Sequence, residues 1–344
     1  MVNEPYIVAS GLVKIFKVAG IEVVALQGLD LEVSRGEILA LVGPSGSGKS
    51  TLLSALGGLD RPSAGRLIVD GQDLLTMNQG QLTTYRRTKV GMVWQQTTRN
   101  LLPYLSARAN VELLMTLGGS TANERREWID ELLDAVGMRE YAHQTPGQLS
   151  GGQQQRIAIA CALANKPQIL LADEPTGEVD WTTAQRILQL LRELRARYNI
   201  TIVMVTHDPR VAEQADRVIA IRDGRTSTET IRALDGGQVV STLTNDPGSR
   251  RSSEELVVLD SAGRLQLPSE QRVLAGISRR ARVELVDGGI LVRPSNDGDT
   301  QIAGESSGNM TYHSLYTIDE EPLVQAAHNR FTDWWQSWRS GRKH

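Results

Sequence analysis

A glycine-rich segment between a strand-like run and a helix-like run constrains the fold of this chain more than any other feature. Residues 43–50 read Gly-Pro-Ser-Gly-Ser-Gly-Lys-Ser and follow the apolar run 38–42. Glycines let backbone N–H groups turn inward around phosphate oxygens, and the dipole of the following helix favours an anion there. The segment therefore predicts an α/β fold with a nucleotide site. Its expected lining is Gly43, Pro44, Ser45, Gly46, Ser47, Gly48, Lys49, Ser50 and Thr51.

Two side chains of this segment have predicted chemical roles. Lys49 would contact the β- and γ-phosphates, and the Ser50 hydroxyl would bind Mg²⁺. The alternative is a glycine-rich turn with a surface lysine. The strand before the segment and the helix after it disfavour that alternative.

A pair of carboxylates at the end of a second apolar strand, residues 169–172, adds a hydrolytic element. Asp173 would lie beside the metal, directly or through water, and Glu174 would polarise the attacking water. Strands that end in acidic residues are common, so the pair is a weak signal alone. Beside a phosphate loop it becomes a strong one.

A second glycine-containing helix start indicates that one chain does not hold a complete site. Ser150, Gly151, Gly152 and Gln153 open a helix about 20 residues before the acidic strand. Because one nucleotide has one γ-phosphate, we expect this segment to cover the nucleotide bound to another copy. The alternative is a plain helix capped by Ser150, which explains the serine but not the Gly-Gly-Gln.

Together these segments resemble the ATP-binding-cassette (ABC) ATPases over residues 6 to about 240. The resemblance implies that Phe16 stacks on adenine, although tyrosine is more usual there. It also implies that Gln95 contacts Mg²⁺, that Asp180 lies in the loop that crosses the dimer interface, and that His207 holds the γ-phosphate. Trp94 replaces a common phenylalanine, and Glu178 stands where a neutral residue is common.

The same resemblance implies a head-to-tail homodimer that closes on two ATP molecules and opens after hydrolysis. Glu174 would be the general base, with Lys49, Gln95 and His207 as the other catalytic residues. Ser50, Gln95 and Asp173 would bind the metal. The fold implied is a P-loop ATPase core over residues 1–245 with a helical subdomain inserted at about 96–165.

Residues 100–111 and 175–177 look like the lipoprotein-release, macrolide-export and cell-division members of the family, the MacB, LolD and FtsE group. Those ATPases pair with a four-helix permease that carries a large extracytoplasmic domain. We see no run of 18 apolar residues and no secretory signal. We therefore expect a soluble, intracellular protein held at the cytoplasmic face of the cell membrane by its permease.

The C-terminal third carries further segments. Residues 246–254 are expected to be a linker. Residues 256–259 and 265–268 are each strand-like, and residues 282–286 and 290–292 are predicted to form a hairpin around Asp287-Gly288-Gly289. Residues 255–294 together resemble the swapped-hairpin fold of AbrB-type proteins, which pairs two copies. The tail, 295–344, contains three of the six tryptophans. It could lie on a membrane or a permease, or fold back as a short helix, and we favour the helix slightly.

Charge and cysteine content exclude other function classes. The formal net charge is −3, so we expect no nucleic acid partner, and we favour dimerisation by the AbrB-like module. The alternative is a soluble ABC ATPase with regulatory DNA binding through that module, for which the basic run 279–282 gives some support. Cys161 is the only cysteine, which excludes an internal disulfide framework, and it lies in an apolar run that predicts a buried, inert thiol.

Overall fold

The structure is a computed structural model that describes residues 5–18, 20–232, 234–235, 238–239, 253–260, 262–277, 281–286 and 289–294. The chain divides into two units, Met1–Gly276 and Ile277–His344. Part of the expected linker (246–252), Arg279 and Arg280, and the whole tail from 295 to 344 lie outside the described residues. No helix in the described part of the chain is long and apolar enough to cross a bilayer.

The first unit has the alternating order of strands and helices that the sequence predicts. Its strands are β1 Ile7–Val18, β2 Ile21–Val33, β3 Ile38–Val42, β4 Ala64–Val69, β5 Gln72–Asp73, β6 Val90–Val93, β7 Ile169–Asp173, β8 Thr201–Val205, β9 Arg217–Arg222, β10 Arg225–Arg232, β11 Leu234–Asp235, β12 Gln238–Val239 and β13 Ser253–Val257. Its helices are α1 Lys49–Leu56, α2 Gln79–Thr88, α3 Ala107–Gly118, α4 Ala122–Ala135, α5 Gly151–Leu163, α6 Trp181–Tyr198, α7 Pro209–Ala212 and α8 Ser269–Leu274.

A seven-stranded sheet in the order β13-β10-β9-β3-β8-β7-β6 places the expected site residues along one edge. Its central pairs, β6–β7, β7–β8, β8–β3 and β3–β9, are parallel. Strands β3, β7 and β8 are almost entirely buried, which explains their continuous apolar sequence. Because the carboxyl ends of parallel strands meet at one edge, the residues that follow β3, β6, β7 and β8 come together there.

A second, antiparallel sheet in the order β2-β1-β4-β5 covers one side of the first. Leu12, Leu26 and Leu29 on its inner face are fully buried against Leu39 and Leu41 of β3. This sheet packs Ile7 and Leu12, near the start of the chain, into the same core as Leu52 and Leu53 of α1.

The expected helical subdomain between 96 and 165 contains α3, α4 and α5, and two short 3₁₀ turns, Arg139–Tyr141 and Pro146–Gln148, lie between α4 and α5. Helix α4 begins with a capping box in which Thr121 accepts from the Glu124 backbone amide and Glu124 accepts from Thr121. The aliphatic side chains Ile129, Leu132 and Leu133 on its inner face are buried in the core shared with α5 and β7.

The C-terminal boundaries differ from those expected. Residues 255–294 do not form one unit, because β13 pairs antiparallel with β10, from Thr228↔Val257 to Arg232↔Ser253, as the edge strand of the main sheet. The strand expected at 265–268 is reduced to one bridge, Leu259↔Leu265, and is followed by Pro268, the N-cap of α8. The apolar run at 256–259 predicts a strand but does not indicate which strand it pairs with. The edge of β10 is available for pairing, and β13 binds there.

The second unit is described as one antiparallel hairpin, β14 Ala281–Val286 and β15 Gly289–Pro294. The register runs from Ala281↔Pro294 to Val286↔Gly289. The two strands agree with the hairpin predicted at this point, and the turn residues 287 and 288 lie outside the described residues.

Candidate functional site

The loop from β3 to α1 is built for close backbone approach. Gly48 has φ +101°, and a Cβ atom there would lie 2.5 Å from the Ala25 carbonyl oxygen. A Cβ atom on Gly43 would lie 2.1 Å from the Ile221 carbonyl oxygen. Glycine is therefore required at both positions. Gly48 is also the N-cap of α1 and supplies no side-chain cap, so the first amides of α1 are available to a phosphate.

The Lys49 ammonium lies inside this loop. The side chain is buried and donates to the carbonyl oxygens of Gly43 (2.8 Å) and Pro44 (2.7 Å). Burial lowers the pKa of Lys49, and the nearby carboxylates of Glu174 and Asp173 oppose that shift. The loop thus concentrates one positive charge with the converging N–H groups, which is the arrangement that a polyphosphate requires.

Glu174 joins the residues expected at the sheet edge. Its backbone has φ +48°, an uncommon conformation for a side chain of this size, and its amide donates to the Val205 carbonyl at 3.0 Å. Its Oε1 lies 2.8 Å from Nδ1 of His207, and its Oε2 accepts from Nε2 of Gln95 at 3.4 Å. The structure therefore brings together three side chains that are 33 and 79 residues apart in sequence.

Asp173 is more buried than an ordinary surface carboxylate. Burial raises its pKa, the neighbouring Glu174 raises it further, and Lys49 and Arg99 oppose the increase. Two adjacent carboxylates in a half-buried site favour a bound divalent cation, because the cation would neutralise them.

The donors expected for that cation are a hydroxyl (Ser50), an amide (Gln95) and a carboxylate (Asp173). Hard oxygen ligands of this kind suit Mg²⁺. In the described part of the chain no group of three or more His, Cys, Asp or Glu residues could hold a metal ion. When bound by these residues, Mg²⁺ would neutralise negative charge on the phosphates.

Phe16 lies near the phosphate loop through the pairing of β1 with β2. It pairs with Val23, and Ala25, two residues along the same strand, is the residue in close contact with Gly48. The Lys14 ammonium lies 4.8 Å from the centroid of the Phe16 ring. This cation–π contact limits the freedom of the ring.

The segment Ser150–Gln153 is a capping box at the start of α5. Ser150 Oγ accepts from the Gln153 amide at 3.3 Å, and Gln153 Oε1 accepts from the Ser150 amide at 2.8 Å. A Cβ atom on Gly152 would lie 2.5 Å from Cγ2 of Thr183. The expectation that plain capping explains only the serine is therefore wrong, because local structure also accounts for Gln153 and Gly152. Gly151 differs, since its nearest neighbour would be 3.9 Å away.

A groove of about 530 Å³ runs beside this helix start. Asp180 lies in it as the N-cap of α6, accepting from the backbone amide (3.0 Å) and the hydroxyl (2.7 Å) of Thr183. Among the described residues, none of 43–51 lines this groove. The chain thus has two glycine-containing helix starts, at α1 and at α5, and the groove beside α5 does not include the phosphate loop. The groove is lined by Gly137, Met138, Tyr141, Ser150, Gly151, Gly152, Gln153, Arg156, Glu178, Val179, Asp180, Thr183 and Arg186.

Three further residues belong to the site, although the sequence analysis assigned them no role in it. The Gly177 amide donates to the Glu174 carbonyl at 3.0 Å, and a Cβ atom on Gly177 would lie 3.2 Å from Oε2 of Glu174. Arg99 acts on Asp173 through its charge, and Arg210 is held beside His207 by Asp208. Arg99 acts on Asp173 from a distant segment, whereas Gly177 and Arg210 contact residues that lie two or three positions away in the sequence.

Comparison with known proteins shows the family of this chain. The profile of the ABC transporter family matches residues 26–177. An uncharacterized ABC transporter ATP-binding protein of Thermotoga maritima is 47% identical over 212 residues, which are 62% of this chain and 89% of the relative. This chain belongs to the ABC transporter ATP-binding proteins.

The chain is also similar to a macrolide export protein and to a solved ATP-binding cassette. The MacB 2 protein of Aeromonas hydrophila, a macrolide export ATP-binding/permease protein, is 44% identical over 67% of the chain, and the chain spans 35% of that relative's length. A dimeric structure of the ATP-binding cassette MJ0796 in a post-hydrolysis state, bound to ADP and Pi, has a TM-score of 0.61. It is 39% identical, and the match covers 66% of this chain and all of that one.

The expected P-loop ATPase core is thereby confirmed. This chain is an ATPase subunit of an ABC transporter. It hydrolyses ATP to ADP and phosphate, and its cofactors are ATP and Mg²⁺. Similar cassettes form dimers.

Proposed function

We propose that two copies of this ABC ATPase close head to tail around two ATP molecules. Each ATP would lie between residues 43–51 of one copy and Ser150–Gly152 of the other. The separation of the two helix starts in one chain carries this proposal. The helix starts at α1 and α5 can each attract an anion, but they lie apart within one chain. When a second copy is added head to tail, the α1 start of one copy and the α5 start of the other can bind the same nucleotide.

Within each composite site, the chain's own side chains have distinct tasks. Glu174 accepts a proton from the attacking water, since its carboxylate is fixed by Gln95 and His207. His207 orients that carboxylate and holds the terminal phosphate. Lys49 and the α1 amides hold the β- and γ-phosphates, and Phe16 stacks on adenine.

Mixing two inactive variants tests the composite site. Lys49→Ala removes the phosphate-loop cation, and Gly151→Asp places a carboxylate where a Cβ atom is tolerated. Each variant alone should lack ATPase activity. A mixed dimer contains one intact site, so an equimolar mixture should recover up to about a quarter of the wild-type rate if pairing is random and sites are independent. Activity no greater than that of the separate variants would contradict the proposal.

Gly147→Asp is the matched control for the added charge. Gly147 is exposed, has nothing within 4 Å of a Cβ position and lies four residues before Gly151. This variant should keep the wild-type rate alone, so that the loss in Gly151→Asp reports repulsion of phosphate and not a general effect of acidity.

We further propose that the ATPase drives a transmembrane permease of the MacB type from the cytoplasmic face of the membrane. A groove of about 410 Å³ beside the Gln95 loop is lined by Met92, Trp94, Arg99 and Leu114 among others. Leu117, at its rim, is 64% exposed. An apolar groove next to a catalytic loop fits a permease segment that senses nucleotide. The four-helix form and large external domain of the permease remain part of this proposal.

Co-purification tests this surface. Leu117→Asp should reduce recovery of a co-expressed permease of the MacB type, while the ATPase rate of the isolated protein stays unchanged. Leu59→Asp is the control, since Leu59 is also exposed but does not line the groove. Equal recovery with both variants would remove this surface from the proposal.

We also propose that the C-terminal hairpin pairs with a second copy, as the AbrB-like resemblance implies. An isolated two-stranded hairpin is marginally stable, and β14–β15 exposes Val283 (64%) and Ile290 (69%). A chain ending at Gly276 keeps β13 on the main sheet. Without nucleotide it should run as a monomer in size-exclusion chromatography while the full chain runs as a dimer. Equal sizes would contradict the proposal.

A further inference from the structure

The Arg210 side chain is held between an aromatic ring and a carboxylate. Its guanidinium carbon lies 4.3 Å from the centroid of the Trp181 ring. The same group donates to Asp208, with 2.7 Å from Nη2 to Oδ2 and 3.1 Å from Nε to Oδ1. A planar guanidinium can stack and make a forked hydrogen bond at once, which an ammonium cannot.

These contacts join two segments of the site. Trp181 is the first residue of α6 and follows Asp180, which lines the groove beside Ser150. Asp208 follows His207 and caps α7 by accepting from the Arg210 amide at 2.9 Å. Arg210 therefore links the start of α6 to the short segment that carries His207.

The position of His207 depends strongly on that segment. Its side chain is 71% exposed, so packing gives the ring little orientation, while Glu174 is only 18% exposed. The contact of 2.8 Å between them is consequently set by the backbone of residues 206–208. Neighbouring bonds fix this backbone, including the Asp208 amide donating to Thr206 Oγ1 at 3.1 Å.

A small cavity of about 140 Å³ is shared by the Trp181–Arg210 pair and the Glu174–His207 pair. Glu174 and His207 line it, and Trp181 and Arg210 also line it. The stacked pair therefore forms part of the wall behind the catalytic pair. Loss of either member would open the cavity to water and release the His207 segment.

We propose that Trp181 and Arg210 are positioning residues that hold His207 against Glu174 by fixing the His207 segment to the start of α6. This inference rests on the proposed roles of Glu174 and His207. Neither Trp181 nor Arg210 contacts the reacting atoms, and each acts through Asp208 and the backbone that it caps.

ATPase kinetics of the full chain provide the first test. Arg210→Ala and Trp181→Ala should each lower kcat by roughly ten- to a hundredfold, with KM for ATP within about twofold, because misplacement by about an ångström costs that much. Trp181→Phe keeps an aromatic face and should restore most of the rate. The double variant should be no slower than the slower single variant, since one contact is lost in each case.

Arg197→Ala is the matched control. Arg197 lies near the other end of α6, stacks on Tyr198 at 5.3 Å and pairs with Glu131 at 3.1 Å, so it makes the same two kinds of contact away from the site. This variant should keep the wild-type kcat. Equal rates for Arg197→Ala and Arg210→Ala would overturn the proposal.

The tautomer of His207 provides a test that does not depend on hydrolysis. In nucleotide-free protein with ¹⁵N-labelled histidine at pH 8, contact with Glu174 favours a proton on Nδ1. Arg210→Ala should shift His207 toward the Nε2–H form, and Arg197→Ala should not. The signal is assigned among five histidines by its loss in His207→Gln. An unchanged tautomer in Arg210→Ala would overturn the positioning role, whereas full activity of Glu174→Gln would overturn only the catalytic assignment.

Discussion

Oε1 of Glu174 lies 2.8 Å from Nδ1 of His207, although the two residues follow the ends of different strands of the central sheet. Strands β7 and β8 are parallel neighbours, with Asp173 opposite Val205, so the residues that follow them leave the sheet side by side. The left-handed backbone of Glu174 then turns its carboxylate toward the histidine. The parallel pairing of β7 and β8 thus brings Glu174 and His207 together, and the left-handed backbone of Glu174 orients its carboxylate.

Replacement of Glu174 by glutamine removes the base but keeps the shape of the side chain. We expect Glu174→Gln to reduce ATP turnover by at least about a hundredfold, the usual contribution of a general base. ATP binding should persist, and the dimer should be trapped in its closed form, as seen by size-exclusion chromatography with ATP and Mg²⁺. Hydrolysis at the wild-type rate would contradict the assignment of the base.

A methyl group at position 177 tests how closely the Glu174 carboxylate is held. A Cβ atom there would lie 3.2 Å from Oε2 of Glu174, a contact that forces the carboxylate to move by a few tenths of an ångström. We expect Gly177→Ala to lower kcat several-fold while the melting temperature changes little. Gly147→Ala is the control, because nothing lies within 4 Å of its Cβ position. If both variants have the same kcat, the carboxylate is not held as tightly as its contacts imply.

The local motifs of this site were predictable from sequence, and the contacts between them were not. The phosphate loop and the Asp173-Glu174 strand end each occupy one short stretch, where glycine, apolar and acidic residues define strand, turn and helix start. The pairing of β13 with β10, and the approach of Gly152 to Thr183, depend on segments that meet only in the folded chain. The Ser150–Gln153 segment is a third case, because the sequence allows a helix capped by Ser150, whereas the part of Gln153 in the capping box is established by the structure.

The single cysteine should be chemically inert in the folded protein. Burial raises the pKa of the Cys161 thiol to about 12, so the thiolate is scarce at neutral pH. We expect no alkylation by iodoacetamide at pH 8 over a time in which an unfolded sample reacts completely. Mass spectrometry of the intact protein checks this, with urea-unfolded protein as the control. Rapid alkylation of the native protein would show that α5 opens locally.

Two aspartates should change stability in opposite directions. The pKa of Asp173 is raised by burial and by Glu174, so its ionisation is less favourable in the folded chain than in the unfolded one. Its contribution to stability is therefore lost as pH rises from about 4 through the folded pKa, and the ionised carboxylate destabilises the fold at pH 7. Asp173→Asn should raise the free energy of unfolding at pH 7 while it lowers Mg²⁺-dependent ATP hydrolysis.

Asp130 is the comparison, since a hydrogen bond from Arg108 lowers its pKa. A lowered pKa stabilises the fold above about pH 4, and this stabilisation is lost as pH falls through the folded pKa. Asp130→Asn should therefore lower the free energy of unfolding at pH 7, by a small amount because the pair is partly exposed. Urea unfolding of both variants without nucleotide measures the difference. Changes of the same sign would mean that Asp173 is not strained by its neighbours, and the argument for a cation that neutralises it would lose its basis.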